Sequence, residues 1–159
     1  MAKKFVLVLA AAVAVMAVLI ALPNLSQQPQ QALSIEYSRQ HIERTSEGSV
    51  TRSAELLSIA QDGSATYTLV GGPERTVAIT NEEMDRLRAL ITETGFLQIP
   101  TTNYPQSEDA TDFTRYTLRV STNESQKTFN WVNAEASTSI VPPIITNVGS
   151  QLDAIMNKA

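Results

Sequence analysis

The chain begins with a continuous apolar stretch and changes further on to alternating apolar and polar residues. Phe5 to Leu22 contains only apolar residues, Lys3 and Lys4 precede it, and Pro23 follows it. As a helix, this stretch would extend about 27 Å, close to the hydrocarbon thickness of a bilayer. The two lysines favour a cytoplasmic N-terminus. The pattern predicts a single-pass membrane anchor over residues 1–22, with the remainder of the chain outside the membrane.

A cleavable signal peptide is the alternative for this segment. Signal peptides combine a basic start with an apolar core of about 7–15 residues and small residues at the cleavage site. The core here is longer, and Leu19-Ile20-Ala21 places leucine where a small residue is expected. The sequence contains no cysteine that could be acylated, so a lipoprotein signal is excluded. We favour a retained anchor, and either interpretation exports the globular part.

The residues that follow predict a tether and one folded domain. Residues 23–32 are polar and without periodicity, which is typical of a short tether. Residues 33–159 are enough for one compact domain. Within it, alternation of apolar and polar residues predicts strands at 33–38, 53–59, 65–70, 75–79, 114–120 and 128–131.

Turn residues connect these strands into hairpins. Asp62-Gly63 stands between two strand patterns and predicts a tight hairpin with a type I′ turn. Residues 121–126 are expected to form the turn of a second hairpin. Strands joined in this way imply an antiparallel sheet.

Two amphipathic helices complete the predicted fold. Thr80 and Glu83 have the spacing of a capping box, and Gly95 is the expected residue after the helix end. Pro142 and Pro143 are expected in the first turn of the last helix. The domain is therefore predicted as α+β, a strand meander, a helix, a hairpin and a helix, with both helices on one sheet face.

The charge of the exported part argues against two classes of partner. Apart from Lys3 and Lys4, the chain has ten basic and sixteen acidic residues, a net charge of −6. A negative domain is poorly suited to nucleic acid or to an anionic lipid surface. We therefore expect no nucleic-acid partner.

Candidate catalytic residues are few. His41 is the only histidine, so a Ser-His-Asp triad would have to use it together with Ser34 or another serine. No glycine pattern of a nucleophile elbow accompanies a serine. We assign no catalytic residue and no cofactor, and a hydrolase is the least favoured class of function.

The polar loop before the strand at 114–120 carries the weak candidates for binding. Glu108, Asp109 and Asp112 could supply oxygen ligands to Ca²⁺, although they lack the spacing of an EF-hand, and solvated loop charges are the alternative. Tyr104 lies in the same loop and is the candidate for a surface anchor in an interaction. Asn123 begins an N-glycosylation sequon at the predicted hairpin tip, where a turn asparagine is the alternative.

Several of these features occur together in one known family. They are the Asp62-Gly63 hairpin, the helix ending in Thr94-Gly95-Phe96-Leu97, the Tyr104 loop, Asp112 before the next strand, and the proline-opened last helix. In these features the chain resembles an uncharacterised family of small exported or membrane-anchored α+β domains, often lipoproteins, classed as a domain of unknown function. The resemblance implies the fold and the extracytoplasmic location, and it implies no activity.

A membrane-anchored interaction or accessory module with an unidentified protein partner is the favoured function. An anchor, a short tether and a compact domain without catalytic motifs are the features that favour it. An exported domain that binds a small ligand or Ca²⁺ through residues 104–112 is the alternative, and a hydrolase is third.

Overall fold

The computed structural model describes residues 32–159. The predicted anchor at Phe5 to Leu22 and nearly all of the predicted tether lie outside the described residues. Within residues 32–159, no helix is both long enough and apolar enough to cross a membrane.

Six strands and two helices form the domain. Short 3₁₀ helices follow the first helix, at Phe96–Gln98, and the last strand, at Ala134–Ala136. The main elements are β1 (Leu33–Thr45), β2 (Gly48–Ile59), β3 (Ala65–Leu69), β4 (Glu74–Val77), α1 (Asn81–Thr92), β5 (Asp112–Thr122), β6 (Gln126–Val132) and α2 (Pro143–Met156).

All six strands belong to one antiparallel sheet with the order β4-β3-β2-β1-β5-β6. The first four strands form a meander, and α1 with its following loop returns the chain so that β5 pairs with β1. The outer edge of β6 is covered, because Asn130 accepts a hydrogen bond from Tyr104 N and donates one to Thr102 O. The predicted antiparallel sheet is confirmed.

Both helices pack on the same face of this sheet, as predicted. Their apolar residues and the inward residues of the strands belong to a single buried cluster, in which Tyr37, Phe96 and Phe129 are fully buried. The helices contribute Met84, Leu87, Ile91, Ile145, Val148, Leu152, Ile155 and Met156 to this cluster.

A second, smaller cluster lies on the opposite face of the sheet. β1 continues to Thr45, well beyond the predicted strand, and Ile42 is buried although it is out of phase with Tyr37. Successive side chains of a strand point to opposite faces, so Ile42 packs away from the helices, against Phe113 and Val132.

The capping box predicted at the start of α1 is present, and it connects the two helices. The hydroxyl of Thr80 accepts a hydrogen bond from Glu83 N at 3.2 Å, and Thr80 N donates to Glu83 Oε2 at 3.0 Å. Lys158, just after α2, donates to the other carboxylate oxygen of Glu83. Glu83 therefore completes the capping box and also links the start of α1 to the end of α2 through its ion pair with Lys158.

Gly95 has a left-handed φ of 78°, but it follows the C-cap residue Glu93 by two positions and caps the 3₁₀ helix at Phe96–Gln98.

The hairpin at Asp62-Gly63 is confirmed, but its predicted turn type is wrong. A type I′ turn needs positive φ at both central residues, and here only Gly63 has it, at 83°. The turn closes through a hydrogen bond from Gly63 N to Ala60 O at 3.0 Å, and Asp62 Oδ1 accepts from Ser64 N at 2.9 Å. The loop between the strands is longer than two residues, so Asp62 is not required to adopt a left-handed conformation.

Candidate functional site

A cleft of about 540 Å³ opens between α2, the strands β1, β5 and β6, and the segment that joins β6 to α2. Its walls combine aromatic rings, small hydroxyl side chains and one carboxylate. The lining residues are Tyr37, Tyr116, Trp131, Val132, Asn133, Ala134, Ser137, Thr138, Ser139, Ile140, Val141, Thr146, Gly149, Ser150 and Asp153.

Three stacked aromatic rings form the sheet side of the cleft. The ring centroid of Tyr116 lies 5.2 Å from that of Trp131 and 6.3 Å from that of Tyr37, with interplanar angles of 15° and 12°. Tyr116 and Trp131 are directly paired across β5 and β6, so the alternation of each strand directs both rings to the helix side. The stack is a rigid wall, since each ring is held by its neighbours and by the strands.

α2 approaches this wall closely at a glycine. A Cβ atom added to Gly149 would lie 3.0 Å from Cζ2 of Trp131 and 3.7 Å from the hydroxyl oxygen of Tyr37. Glycine inside a helix costs about 1 kcal/mol relative to alanine. Here it allows the helix to lie directly against the indole ring, which sets the depth of the cleft.

The inner end of the cleft is a network of charged and phenolic groups. Asp153 of α2 accepts a hydrogen bond from the Tyr37 hydroxyl at 3.1 Å and one from Arg39 at 3.2 Å, both at Oδ1. Arg39 also donates to Glu55 at 2.7 Å, and Glu55 accepts from the Tyr67 hydroxyl at 2.9 Å. A single guanidinium thus serves two carboxylates, and the network of Arg39, Glu55 and Asp153 has a net charge of −1.

Sheet register explains why this network stands where the core ends. Glu55, Arg39, Tyr116 and Trp131 are directly paired neighbours across β2, β1, β5 and β6, so they form one row on the helix side of the sheet. The adjoining row contains buried residues such as Tyr37. The charged row therefore borders the apolar core, with the cleft above it.

The two carboxylates of the network differ in how well their charge is compensated. Burial raises the pKa of the Asp153 carboxyl, while Arg39 and the Tyr37 hydroxyl act in the opposite direction. The hydrogen bond from Arg39 instead lowers the pKa of Glu55. Burial, with Asp153 beside it, raises the pKa of Tyr37, which keeps that phenol protonated as a donor. Asp153 is thus the less compensated carboxylate, and it faces the cleft.

The rim of the cleft is fixed in place and carries one prominent apolar side chain. Thr138 N donates to Pro105 O at 3.1 Å, and the Ser137 hydroxyl donates to Ser139 O at 2.7 Å. Beside them Ile140 is 91% exposed. The rim therefore combines an anchored backbone with an exposed apolar side chain.

The carboxylates proposed for Ca²⁺ do not come together. Among residues 32–159, no three His, Cys, Asp or Glu side chains are arranged to hold a metal ion. Of the three candidates, Glu108 contributes its carbonyl oxygen to a hydrogen bond from Arg44, and Asp112 lies beside His41. Asp109 is exposed. Binding of Ca²⁺ by the weak candidates Glu108, Asp109 and Asp112 stays a prediction that this arrangement does not favour.

His41 does not form the triad with Ser34 that the sequence suggested, and the serine paired with it across β1 and β2 is Ser53. Its Nε2 atom lies 3.4 Å from Asp112 Oδ1, and 43% of the His41 side chain and 67% of the Asp112 side chain are exposed. Ser34 occupies the same strand seven residues earlier, a separation of about 23 Å in an extended chain. The pair of Ser34 and His41 that the sequence suggested is therefore ruled out by the length of β1.

Tyr104 is not the surface anchor that its polar surroundings suggested. Its side chain is 5% exposed and belongs to the main buried cluster. The hydroxyl donates to Thr101 O at 3.0 Å, which satisfies the polar atom at the edge of the core. The prediction is wrong because the loop folds back along β6 and carries this ring inwards.

Asn123 lies where the sequence placed it, at the exposed tip of the β5–β6 hairpin. The turn is closed by Ser125 N donating to the Thr122 hydroxyl at 3.1 Å. The position leaves the asparagine accessible, and its glycosylation stays a prediction.

Sequence reasoning missed the cleft, although the chain carries a signal for it. Arg39 and Glu55 occupy strand positions in phase with buried residues such as Tyr37 and Leu57. Asp153 follows buried Leu152 in a largely apolar helix. Charged residues on inward faces of separate elements indicate a partly buried network, but only the fold shows that the three side chains meet.

No protein-family model matches the chain, and no curated protein sequence is similar to it. The resemblance to an exported domain of unknown function accordingly stays a prediction.

Proposed function

We propose that this chain is a membrane-anchored, extracytoplasmic binding module that holds a segment of a partner protein in the cleft beside α2. The cleft is the observation that carries the proposal. Its volume of about 540 Å³ lies in the range of ligand-binding sites, about 300–1,000 Å³. Its mixture of a rigid aromatic wall, hydroxyl groups and a single carboxylate is typical of recognition surfaces, in which a few polar groups set orientation.

The location is inferred from the sequence. Phe5 to Leu22 has the length and composition of an anchor, and Lys3 and Lys4 favour a cytoplasmic start. The tether at residues 23–32 can extend at most about 35 Å. A domain on so short a connection works near the membrane surface, so we expect its partner to be a membrane protein or a protein held there.

The exposed side chain on the rim supports a protein partner over a small molecule. Ile140 projects from the wall of the cleft and is almost completely exposed. A small ligand inside the cleft would leave it in water, whereas a polypeptide that enters the cleft and continues over the rim would cover it.

Site-specific photocrosslinking of the full-length protein in its own membranes tests the proposal. In the test variant, a photoreactive amino acid replaces Ile140 on the rim. In the control variant, it replaces Val70, an aliphatic residue that is 69% exposed and does not line the cleft. We expect one defined adduct from Ile140 and none of the same mass from Val70.

Blocking variants show whether that adduct depends on the cleft. Ser150→Trp fills the cleft from the exposed surface of α2, and Asn147→Trp places the same ring on α2 outside the lining residues. The adduct should be lost with Ser150→Trp and kept with Asn147→Trp. An adduct that persists in both variants, or a small molecule retained with the full-length protein in native mass spectrometry, would contradict the proposal.

A further inference from the structure

We propose that the cleft recognises a cationic side chain, a lysine or arginine of the bound segment, whose charged group pairs with Asp153 and whose methylene groups lie along Tyr116. The inference rests on the proposed function, and it specifies the chemistry of the occupant. Three features of the cleft carry it: the charge of its lining, the free acceptor at its inner end and the aromatic wall beside that acceptor.

The lining carries one negative charge and no positive one. Asp153 is the only carboxylate among the lining residues, and none of them is a lysine, arginine or histidine. Arg39 lies behind the cleft and divides its hydrogen bonds between Asp153 and Glu55. A cationic group would neutralise the net charge of −1 carried by Arg39, Glu55 and Asp153. An anion would instead lie beside uncompensated negative charge.

Asp153 has a hydrogen-bond acceptor available. Tyr37 and Arg39 both donate to Oδ1, and no hydrogen bond among residues 32–159 uses Oδ2. The side chain is 29% exposed, so the carboxylate is reachable from the cleft yet partly removed from water. A charge-assisted hydrogen bond formed there is less screened than one on an open surface.

The aromatic wall suits the rest of such a side chain. Tyr116 is the half-buried member of the three rings, with its centroid 6.3 Å from that of Tyr37 and 5.2 Å from that of Trp131, and burial together with the Asp153 carboxylate raises its pKa. Lysine and arginine combine apolar methylene groups with a charged end, and cations are attracted to aromatic faces. Glu135, which accepts a hydrogen bond at 3.0 Å from Asn133 of the lining, adds a second negative charge near the cleft.

Trp131 reports on occupancy of this site without a label. It is the only tryptophan of the chain, and it lines the cleft. The full-length protein in nanodiscs of zwitterionic lipid is titrated with capped pentapeptides, Gly-Leu-Lys-Leu-Gly and its variants with arginine, norleucine or glutamate at the centre. We expect a saturable change in Trp131 fluorescence with lysine and arginine, and binding about tenfold weaker or more with norleucine and glutamate.

Substitution of the carboxylate then isolates its role. Asp153→Asn keeps an oxygen that can accept from Tyr37 and should weaken lysine-peptide binding about tenfold while leaving norleucine-peptide binding unchanged. Asp85→Asn, on the exposed surface of α1, is the matched control and should change neither. If Asp153→Asn does not fold, the salt dependence of lysine-peptide binding to the unsubstituted chain replaces it, and affinity should fall as salt rises.

The outcomes separate this inference from the proposed function. Equal binding of the lysine and norleucine peptides, or unchanged lysine binding in Asp153→Asn, would overturn cation recognition while the crosslinking result at Ile140 stands. If Ser150→Trp abolishes the Ile140 adduct but the four peptides bind equally well, cation recognition alone is overturned. If no peptide changes Trp131 fluorescence and Ser150→Trp leaves the adduct intact, the cleft is not a binding site and both proposals fail.

Discussion

Gly149 of α2 lies so close to Trp131 of β6 that a Cβ atom on the glycine would stand 3.0 Å from the indole carbon Cζ2. The contact joins the last helix to the last strand and positions the wall of the cleft. Because the indole is held in a stack with Tyr37 and Tyr116, it cannot easily move away from a larger residue.

Gly149→Val should therefore separate helix and sheet. We expect the free energy of unfolding to fall by about 1–3 kcal/mol, as in overpacked cores, and the fluorescence of Trp131 to shift. Ser150→Val adds the same side chain to an exposed neighbouring position and should change stability by no more than about 0.5 kcal/mol. Urea unfolding of both variants measures the difference, and equal stability of the two would show that the contact is not tight.

Glu83 should make the domain sensitive to acid. The hydrogen bonds from Lys158 and Thr80 lower the pKa of Glu83 from 4.5 to about 2. A carboxyl whose pKa is lower in the folded state stabilises that state at pH above 4.5, and this stabilisation is lost as the pH falls towards about 2. Glu83→Gln should be less stable than the unsubstituted protein at pH 7, with the difference shrinking below pH 4.5.

Urea midpoints at neutral and acidic pH test this expectation. Glu82→Gln is the control, because Glu82 forms its ion pair within α1, with Arg86. A difference between Glu83→Gln and the unsubstituted protein that stays constant down to pH 3 would argue against the role assigned to Glu83.

Removing Arg39 should leave two carboxylates without their common counter-charge. We expect Arg39→Met to lower the free energy of unfolding by about 1–3 kcal/mol, because Glu55 and Asp153 stay partly buried. Adding Glu55→Gln and Asp153→Asn to Arg39→Met should recover part of the loss, since no unbalanced charge is left.

Arg119→Met is the matched control for that experiment. Arg119 pairs with Glu36 at 3.4 Å, but both side chains are about half exposed, so the change should be within about 0.5 kcal/mol. Equal losses from the two arginine substitutions would mean that the network at the inner end of the cleft has no special role.

Tyr104 should behave as a core residue. Tyr104→Ala removes a buried ring and is expected to lower the free energy of unfolding by about 3–5 kcal/mol, whereas Tyr104→Phe removes only the hydrogen bond to Thr101 and should cost about 0.5–1.5 kcal/mol. Thermal unfolding distinguishes this from the behaviour of a surface anchor, whose truncation would scarcely change the melting temperature.

Local features of the fold could be predicted because each depends on residues that are close in sequence. The capping box of Thr80 and Glu83 needs only a spacing of three residues, and the strands follow from a period of two. The Asp62-Gly63 hairpin was predicted in the same way, while its turn type was not, since the length of the loop depends on how β2 and β3 align.

Non-local features were decided by tertiary structure. Burial of Tyr104 depends on a loop that pairs with β6, and burial of Ile42 depends on a second cluster formed with Phe113 on the far face of the sheet. β6 is distant in sequence from Tyr104, and Phe113 is distant from Ile42. For this reason no local pattern distinguishes a buried residue from an exposed one in these two segments.

The sequence by itself determined the α+β class, the hairpins, the start of α1 and the faces of both helices, because hydrogen bonding and side-chain periodicity act over a few residues. Tertiary structure alone decided that β5 pairs with β1. That pairing aligns Arg39 with Tyr116, and the packing of α2 brings Asp153 to Arg39 and Tyr37 from more than a hundred residues away in sequence. The cleft forms only where these distant segments meet, because the packing that creates it depends on contacts between segments and not on the residues of any one segment.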